Sequence, residues 1–296
     1  MPRLLAIGHV TRDRRPASAP AAQPGYPSDV LGGSVTYGAL AARRLGWDAA
    51  ILTCAGSDFE PASELPGLPV FVRRSSVTTR FENEYDEDGG RRQVVAARAD
   101  DVDLDPLPEA WHDPDVLLLG PVVGELSGVG ALTFAAGCVG AIAQGYVRTV
   151  RPDGLVATRA WERPDRDLLG VHALFLSEHD LPDADARARD LLSSVPIVAL
   201  TRGWRGLTLF TRDGRHEVPS LPRPEVDPTG AGDVFAAAFL VRYREAGDPL
   251  EAAAFAACAA SCVVEGVGAS TLGDRAEVEK RLALRERLIE DGEWEE

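Results

Sequence analysis

Lysine is almost missing from this chain of 296 residues: Lys280 is the only one, so thirty of the 31 basic residues are arginine. Lys280 sits in a charged C-terminal stretch with no glycine-rich loop before it, which excludes a Walker A phosphate loop. Any phosphate bound here must be held by backbone amides, arginine or metal ions. Basic charge is also scarce overall. The net charge of −15 and a pI near 4.8 argue against nucleic acid or an anionic membrane as partner, because either wants a basic surface. Hydrophobic runs are too short for a signal peptide or a membrane span. There are four cysteines, Cys54, Cys138, Cys258 and Cys262, all among small apolar residues and without metal-site spacing. Cys258 and Cys262 stand one helical turn apart, which predicts buried thiols in a reducing cytoplasm and not a zinc site. Asparagine occurs once, as Asn83; this bias fits a GC-rich genome or a thermophilic source, and both stay open.

What is present suits a large core. Hydrophobic residues make up 45% of the chain, and α/β chains of this length commonly form one main domain. Short apolar runs alternate with helical patterns, as expected for a mostly parallel sheet between layers of helices. Strands are predicted over 4–8, 49–53, 116–120, 139–142, 173–176 and 197–200, and helices over 37–45, 184–192, 234–245, 249–265 and 275–289. No internal repeat is evident. Two stretches break the alternation: 11–31, rich in Pro, Ala and Arg, and 70–99, polar and strand-like around Asp88-Gly89-Gly90.

The most informative segment is Asp227-Pro228-Thr229-Gly230-Ala231-Gly232-Asp233, which runs straight into the apolar Val234-Phe235-Ala236-Ala237-Ala238-Phe239-Leu240. Gly230 and Gly232 allow a tight turn with φ > 0, and Ala231 adds almost no bulk. Unhindered N–H groups are left at a helix N-terminus, where unpaired donors and the positive end of the dipole favour an anion. A carboxylate placed there would repel a bound phosphate. Asp233 therefore makes most sense as a general base that takes a proton from an attacking hydroxyl, with the Gly230, Ala231 and Gly232 amides stabilising charge on a phosphoryl group in flight. An aspartate N-cap after a glycine turn would account for Asp233 but not for Asp227-Pro228-Thr229.

This segment resembles the second signature of the ribokinase (PfkB) carbohydrate-kinase family, D-T-x-G-A-G-D. Gly32-Gly33-Ser34-Val35-Thr36-Tyr37-Gly38-Ala39-Leu40-Ala41-Ala42-Arg43-Arg44-Leu45-Gly46 resembles the first signature, a Gly-Gly pair followed by a helix that ends in Leu-Gly. Thr201-Arg202-Gly203-Trp204-Arg205-Gly206, between two apolar runs, reads as strand, glycine turn, strand, and matches the family's T-x-G-x-x-G turn. The resemblance implies a ribokinase-like three-layer α/β/α sandwich, with 11–31 and 70–99 forming a small β-sheet lid over the acceptor. It also implies ATP bound near Thr201, Gly203, Gly206, Gly230, Gly232, Cys258 and Gly268, with Mg²⁺, and a monomer or a homodimer through the lid.

The acceptor side is read from fewer residues. Asp13, five residues after Gly8, stands where the family places an Asp that binds substrate hydroxyls, and Gly32 and Gly33 would let the backbone approach a polyol. Tyr37 replaces the Asn of ribokinase and would wall the pocket; Glu82, Asn83, Tyr85, Gln144 and Arg148 are further candidates. The family's N-x-x-E metal motif is changed here to Ser177-Glu178-His179-Asp180. Asp180 keeps a hard oxygen for Mg²⁺, Glu178 rivals it, and Asp227, Thr229 and Gly268 are the places for a monovalent cation such as K⁺. Arg12, Arg14, Arg80 or Arg148 would serve if the acceptor already carried a phosphate.

The chain thus reads as an ATP-dependent kinase for a small sugar or polyol; the acidic balance favours a neutral acceptor, and the resemblance of Gly120–Glu125 and Ala143–Arg148 to the family's sugar and inositol kinase branches favours a sugar or inositol. A nucleoside kinase should instead have an aromatic lid, for which only Tyr37, Phe81 and Tyr85 qualify. A sugar- or nucleotide-binding sensor without catalysis is the third reading, and the intact Asp233 and glycine pair argue against it.

Overall fold

The computed structural model describes residues 1–14, 29–85, 91–126 and 130–291, except the side chains of 83–85 and 91. The strands are β1 (Arg3–Ile7), β2 (Thr11–Arg14), β3 (Asp29–Gly32), β4 (Asp48–Ala55), β5 (Val70–Arg74), β6 (Thr79–Tyr85), β7 (Arg91–Ala97), β8 (Val116–Leu119), β9 (Cys138–Ile142), β10 (Arg148–Val150), β11 (Val156–Thr158), β12 (Ala173–Ser177), β13 (Ile197–Thr201), β14 (Leu207–Thr211) and β15 (Gly214–Val218). The helices are α1 (Ser34–Arg44), α2 (Pro61–Glu64), α3 (Pro164–Asp167), α4 (Ala184–Leu191), α5 (Ala231–Ala246), α6 (Pro249–Val263) and α7 (Arg275–Glu290).

Strands β1, β8, β9 and β12 are apolar nearly throughout and buried on both faces, the pattern of inner parallel strands. They form the middle of a nine-stranded sheet of order β15-β14-β13-β12-β9-β8-β1-β4-β5. Its neighbours pair in parallel from β5 across to β13, and β14 and β15 add an antiparallel edge. A second sheet, β3-β2-β6-β7, is the lid, and β10 and β11 form a separate hairpin. Among the described residues no helix is long and apolar enough to cross a membrane.

The six predicted strands and five predicted helices are all present. The lid differs from expectation. Residues 70–74 were expected in it, but β5 instead extends the main sheet beside β4, because Val70 and Val72 pack on the core; the lid's second part is β6 and β7 alone. Most of the 11–31 segment lies outside the described residues; its ends are β2 and β3. The β10–β11 hairpin and β15 were not anticipated, since three to five half-exposed residues carry no clear period of burial.

One face of the large sheet packs against α1, α5, α6 and α7. Alanine-rich α5 and α6 lie close together, and α6 is started by Asp248, whose carboxylate accepts from Leu250 N and Glu251 N ahead of the N1 proline. The other face is covered by α4 and by irregular segments carrying Val102, Leu107, Leu126, Phe134 and Leu168. Phe175 of β12 meets Phe235 and Phe239 of α5 edge-on, at 6.0 and 5.3 Å between ring centres. These rings fix the height of α5, and hence of its first turn, on the sheet. Phe239 is fully buried, so Phe239→Ala should destabilise the protein by about 3–5 kcal/mol in denaturant unfolding; a loss under about 1 kcal/mol would show that these rings do not hold α5.

Candidate active site

Parallel strands direct their carboxyl ends to one edge, and open α/β sheets bind ligands there. Here that edge collects the turns after β1, β8, β9, β12 and β13, with the lid above and the first turn of α5 between. The loop leading into α5 is tied down along its length. Val226 N and Asp227 N donate to Val264 O, at 2.7 and 3.2 Å. The buried Asp227 carboxylate accepts from Thr229 N at 3.0 Å and, through its other oxygen, from Gly268 N at 3.4 Å. The structure thus accounts for Asp227, Thr229 and Gly268 as a brace for the loop.

Gly230 then turns the chain with φ 83°, ψ −6°. A Cβ there would stand 2.4 Å from the ring of Tyr37, so only glycine fits on both counts. Tyr37 itself is 1% exposed. Its expected place as a wall of the acceptor pocket is corrected: the ring lies beneath the turn and supports it, because helical spacing on α1 points it into the core.

The N-terminus of α5 has no side-chain cap. Ala231 N donates to Pro228 O at 3.2 Å, so its amide serves the turn and not the anion hole, which corrects the expectation for that residue. Gly232 is exposed, and a Cβ there would meet nothing within 4 Å among the described residues. Among the described residues nothing covers Gly232 at the head of the helix, and the dipole favours an anion there.

Asp233 stands in this first turn. Burial, above all, pushes its carboxyl up to about 6; the Ser34 hydroxyl and the Arg148 guanidinium pull it down, and the charges of Asp13 and Asp180 push it up. Those neighbours make the site. Asp13 from β2, Ser34 from α1, Arg148 from β10 and Asp180 from the turn after β12 gather around one carboxylate. Ser34, buried at the start of α1, was not foreseen; its signal was its place directly after the Gly32-Gly33 pair.

Asp13 accepts from the Thr11 hydroxyl at 2.8 Å, and its other oxygen lies where a Cβ on Gly32 would come within 2.4 Å. Gly33 has φ 94°, and a Cβ on it would stand 2.3 Å from His9 O, so both glycines are required by close approach. Asp180 accepts from Ser177 N at 2.7 Å, and burial nonetheless holds its carboxyl above the usual range. Glu178 is a correction. Arg205 grips both its oxygens at 2.5 and 2.7 Å and Arg202 lies at 3.8 Å, so this carboxylate is spent on ion pairs.

The turn expected to hold the nucleotide is present between β13 and β14. Gly203 has φ 59° with open space around it, whereas Gly206, φ 90°, packs against Val218 O. Thr201 donates from its hydroxyl to Leu176 O at 3.3 Å. Cys258 is corrected: it is fully buried within α6, and burial pushes its thiol up to about 12, which places it in the core and away from any ligand. Among the lid candidates, Glu82 is half-exposed on β6 and lies 4.0 Å from Arg14; Asn83 and Tyr85 are also on β6, with their side chains outside the described residues. Gln144 is half-buried in the turn after β9.

Among the described residues no three His, Cys, Asp or Glu side chains converge to hold an ion. A single carboxylate such as Asp180 fits Mg²⁺ carried in on phosphates, since that ion keeps waters and needs only one or two protein oxygens. A cavity of about 450 Å³, lined by Trp161, Pro164, Leu181 and Leu191 among others, contains none of these residues, and the chemistry lies with the carboxylate cluster instead.

Comparison with known proteins gives a consistent result. The model of the "pfkB family carbohydrate kinase" matches residues 168–275. The chain is 30% identical over 272 residues to a cytidine kinase of Thermococcus kodakarensis, covering 84% of this chain and 90% of that one. It is 34% identical over 103 residues to a nucleoside kinase of Methanocaldococcus jannaschii, a stretch that spans 33% of this chain and 34% of the relative. Among solved structures, a pyrophosphate-dependent kinase in the ribokinase family, complexed with a pyrophosphate analog and myo-inositol, superposes with a TM-score of 0.75 at 23% identity, over 93% of this chain and 99% of that one. Ribokinase from Thermotoga maritima superposes with a TM-score of 0.70 at 21% identity, over 96% and 100%. These likenesses show the ribokinase fold.

Because the folded state raises the Asp233 carboxyl, ionising it costs stability, fully so above about pH 6 and not at all below the ordinary value of 3.8. Asp233→Asn should therefore melt higher than wild type at pH 7.5, with the gain shrinking toward pH 4.5. Equal melting temperatures at both pH values would show that Asp233 is not held under strain.

Proposed function

The chain belongs to the pfkB family of carbohydrate kinases, phosphotransferases with a hydroxyl acceptor, and on that premise we propose that it transfers the γ-phosphoryl group of Mg·ATP to a hydroxyl of a small neutral sugar or polyol. The observation that carries this reading is Asp233, half-buried beside an open helix head with Asp13 close enough for their charges to repel.

In this reading the acceptor lies under the lid, with hydroxyls donating to Asp13, which Thr11 orients, over the close backbone of Gly32 and Gly33. Asp233 takes the proton of the attacking hydroxyl. The freed oxygen bonds to the γ-phosphorus as its bond to the bridging oxygen breaks, and ADP departs. Negative charge on the phosphoryl oxygens meets the Gly232 and Asp233 amides and the dipole of α5. Thr201, Gly203 and Gly206 flank the nucleotide. Mg²⁺, held through water at Asp180, would neutralise charge on the phosphates.

A nucleoside acceptor is the second reading, favoured by the alignment with the cytidine kinase over most of both chains. Against it, two of the three aromatics counted for a base-stacking lid are not available. Tyr37 is under the turn, and Phe81 is 3% exposed and packs with Val122 and Val123.

ADP release should be measured with Mg²⁺ and ATP, with and without K⁺, across pentoses, hexoses, inositols, sugar phosphates and nucleosides. Turnover is expected with a neutral polyol; turnover on nucleosides alone would move the acceptor to the second reading, and none on any acceptor would overturn both. Asp233→Asn should lower kcat by about 10²–10⁴. Since the base acts only when ionised, kcat/KM should fall as pH drops through about 6.

A further inference from the structure

Phosphoryl transfer needs cationic charge on the moving group, and this chain has no lysine to place there: Lys280 is exposed on α7. Most arginines around the site are engaged elsewhere. Arg12 is paired with Glu64 at 2.6 Å, Arg80 with Asp58 at 3.6 Å, and Arg202 and Arg205 with Glu178. Arg148 is placed differently. It follows the turn after β9 at the sheet's ligand-binding edge, and its charge acts on both Asp233 and Asp180, the base and the metal-side carboxylate of the reading above.

The backbone around Arg148 is anchored. Gly145 packs so closely on Pro121 that a Cβ would come within 2.4 Å, Tyr146 stacks on Trp161 at 5.1 Å, and the buried Val147 accepts from Arg159 N at 2.7 Å. From this base the guanidinium Nη1 donates to Gln93 Oε1 at 3.1 Å. Gln93 belongs to lid strand β7, opposite Asn83 on β6. The hairpin and the lid are also joined through the backbone, by the Val94–Leu155 bridge and by Val95 N donating to Gly154 O at 2.9 Å. The lid also carries Asp13 on β2, which pairs in parallel with β6. The same small sheet that covers the acceptor thus holds the cation.

We propose that Arg148 contacts the phosphoryl group in flight and that Gln93 is the positioning residue through which the lid aims it. The inference rests on the kinase reading above. An acceptor seated under the lid would set Gln93, and Gln93 would set the guanidinium, so that charge stabilisation is complete only when both substrates are in place. This holds whether the phosphoryl group comes from ATP or from an inorganic polyphosphate, since the group in flight is the same.

The test is a double-mutant cycle on the full chain, with the best acceptor found for wild type and with melting temperatures near wild type as the control for folding. Arg148→Ala should lower kcat by about 10²–10³ with little change in acceptor KM, and millimolar guanidinium chloride should restore part of it. Gln93→Met, which keeps shape but removes the acceptor oxygen, should lower kcat about tenfold in the wild-type background and have no effect in the Arg148→Ala background. Three results would overturn the proposal: acceptor KM rising with kcat intact in Arg148→Ala, no rescue by guanidinium, or an equal loss from Gln93→Met in both backgrounds. A wild type without acceptor-dependent turnover would overturn the kinase reading itself, whereas an active wild type with the wrong pattern would overturn this inference alone.

Discussion

The contact on which the site depends is the seating of Gly230 on the ring of Tyr37. A side chain at 230 would collide with the ring at 2.4 Å, and a smaller residue at 37 would leave the turn unsupported. With the turn seated, the Asp227 carboxylate can reach Thr229 N and Gly268 N at once, and α5 begins at a fixed height. The rings of Phe175, Phe235 and Phe239 hold the rest of that helix to β12. Asp233 then has one place to stand. The apolar core and the Asp233 carboxylate are thus parts of one packing arrangement, in which first signature and second signature meet as ring against backbone.

That arrangement is costly in charge. Asp13, Asp180 and Asp233 are near enough for the outer two to oppose the ionisation of the central one, and burial opposes it further. A fold selected only for stability would not gather three acids here. What offsets them comes from three different elements: the Ser34 hydroxyl, the Arg148 guanidinium and the positive end of α5. The result is a carboxyl group raised to about 6, which suits the base of the proposed reaction.

Much of this was readable in the chain itself. Short, wholly apolar runs and alanine-rich helical stretches carry strong signals, so β1, β8, β12, α5 and α6 fell where the pattern placed them. Asp233 and the glycine turn were legible because tight turns demand particular residues. Several of the differences lie in what a side chain meets. Tyr37, Cys258 and Glu178 were each assigned to a ligand by position in a motif, yet Tyr37 and Cys258 point into the core and Glu178 is held by Arg205. Gln93 was missed for the opposite reason: it lies in no motif, and its partner is 55 residues away. Pairings between distant elements leave no trace in local spacing.

The distribution of positive charge also bears on the acceptor. On a chain of net charge −15, a phosphorylated acceptor would need its own cationic pocket under the lid. Arg12 and Arg80 stand on lid strands β2 and β6, and both face acids, Glu64 and Asp58. Arg14 lies by Glu82. The head of α5 and Arg148 bear instead on Asp233, and in the proposed reaction on the phosphoryl group passing it, not on a second phosphate held beneath the lid. A site built in this way suits an acceptor that brings hydroxyls and no charge, and Asp13, an acceptor of hydrogen bonds that would repel a phosphate, is consistent with it.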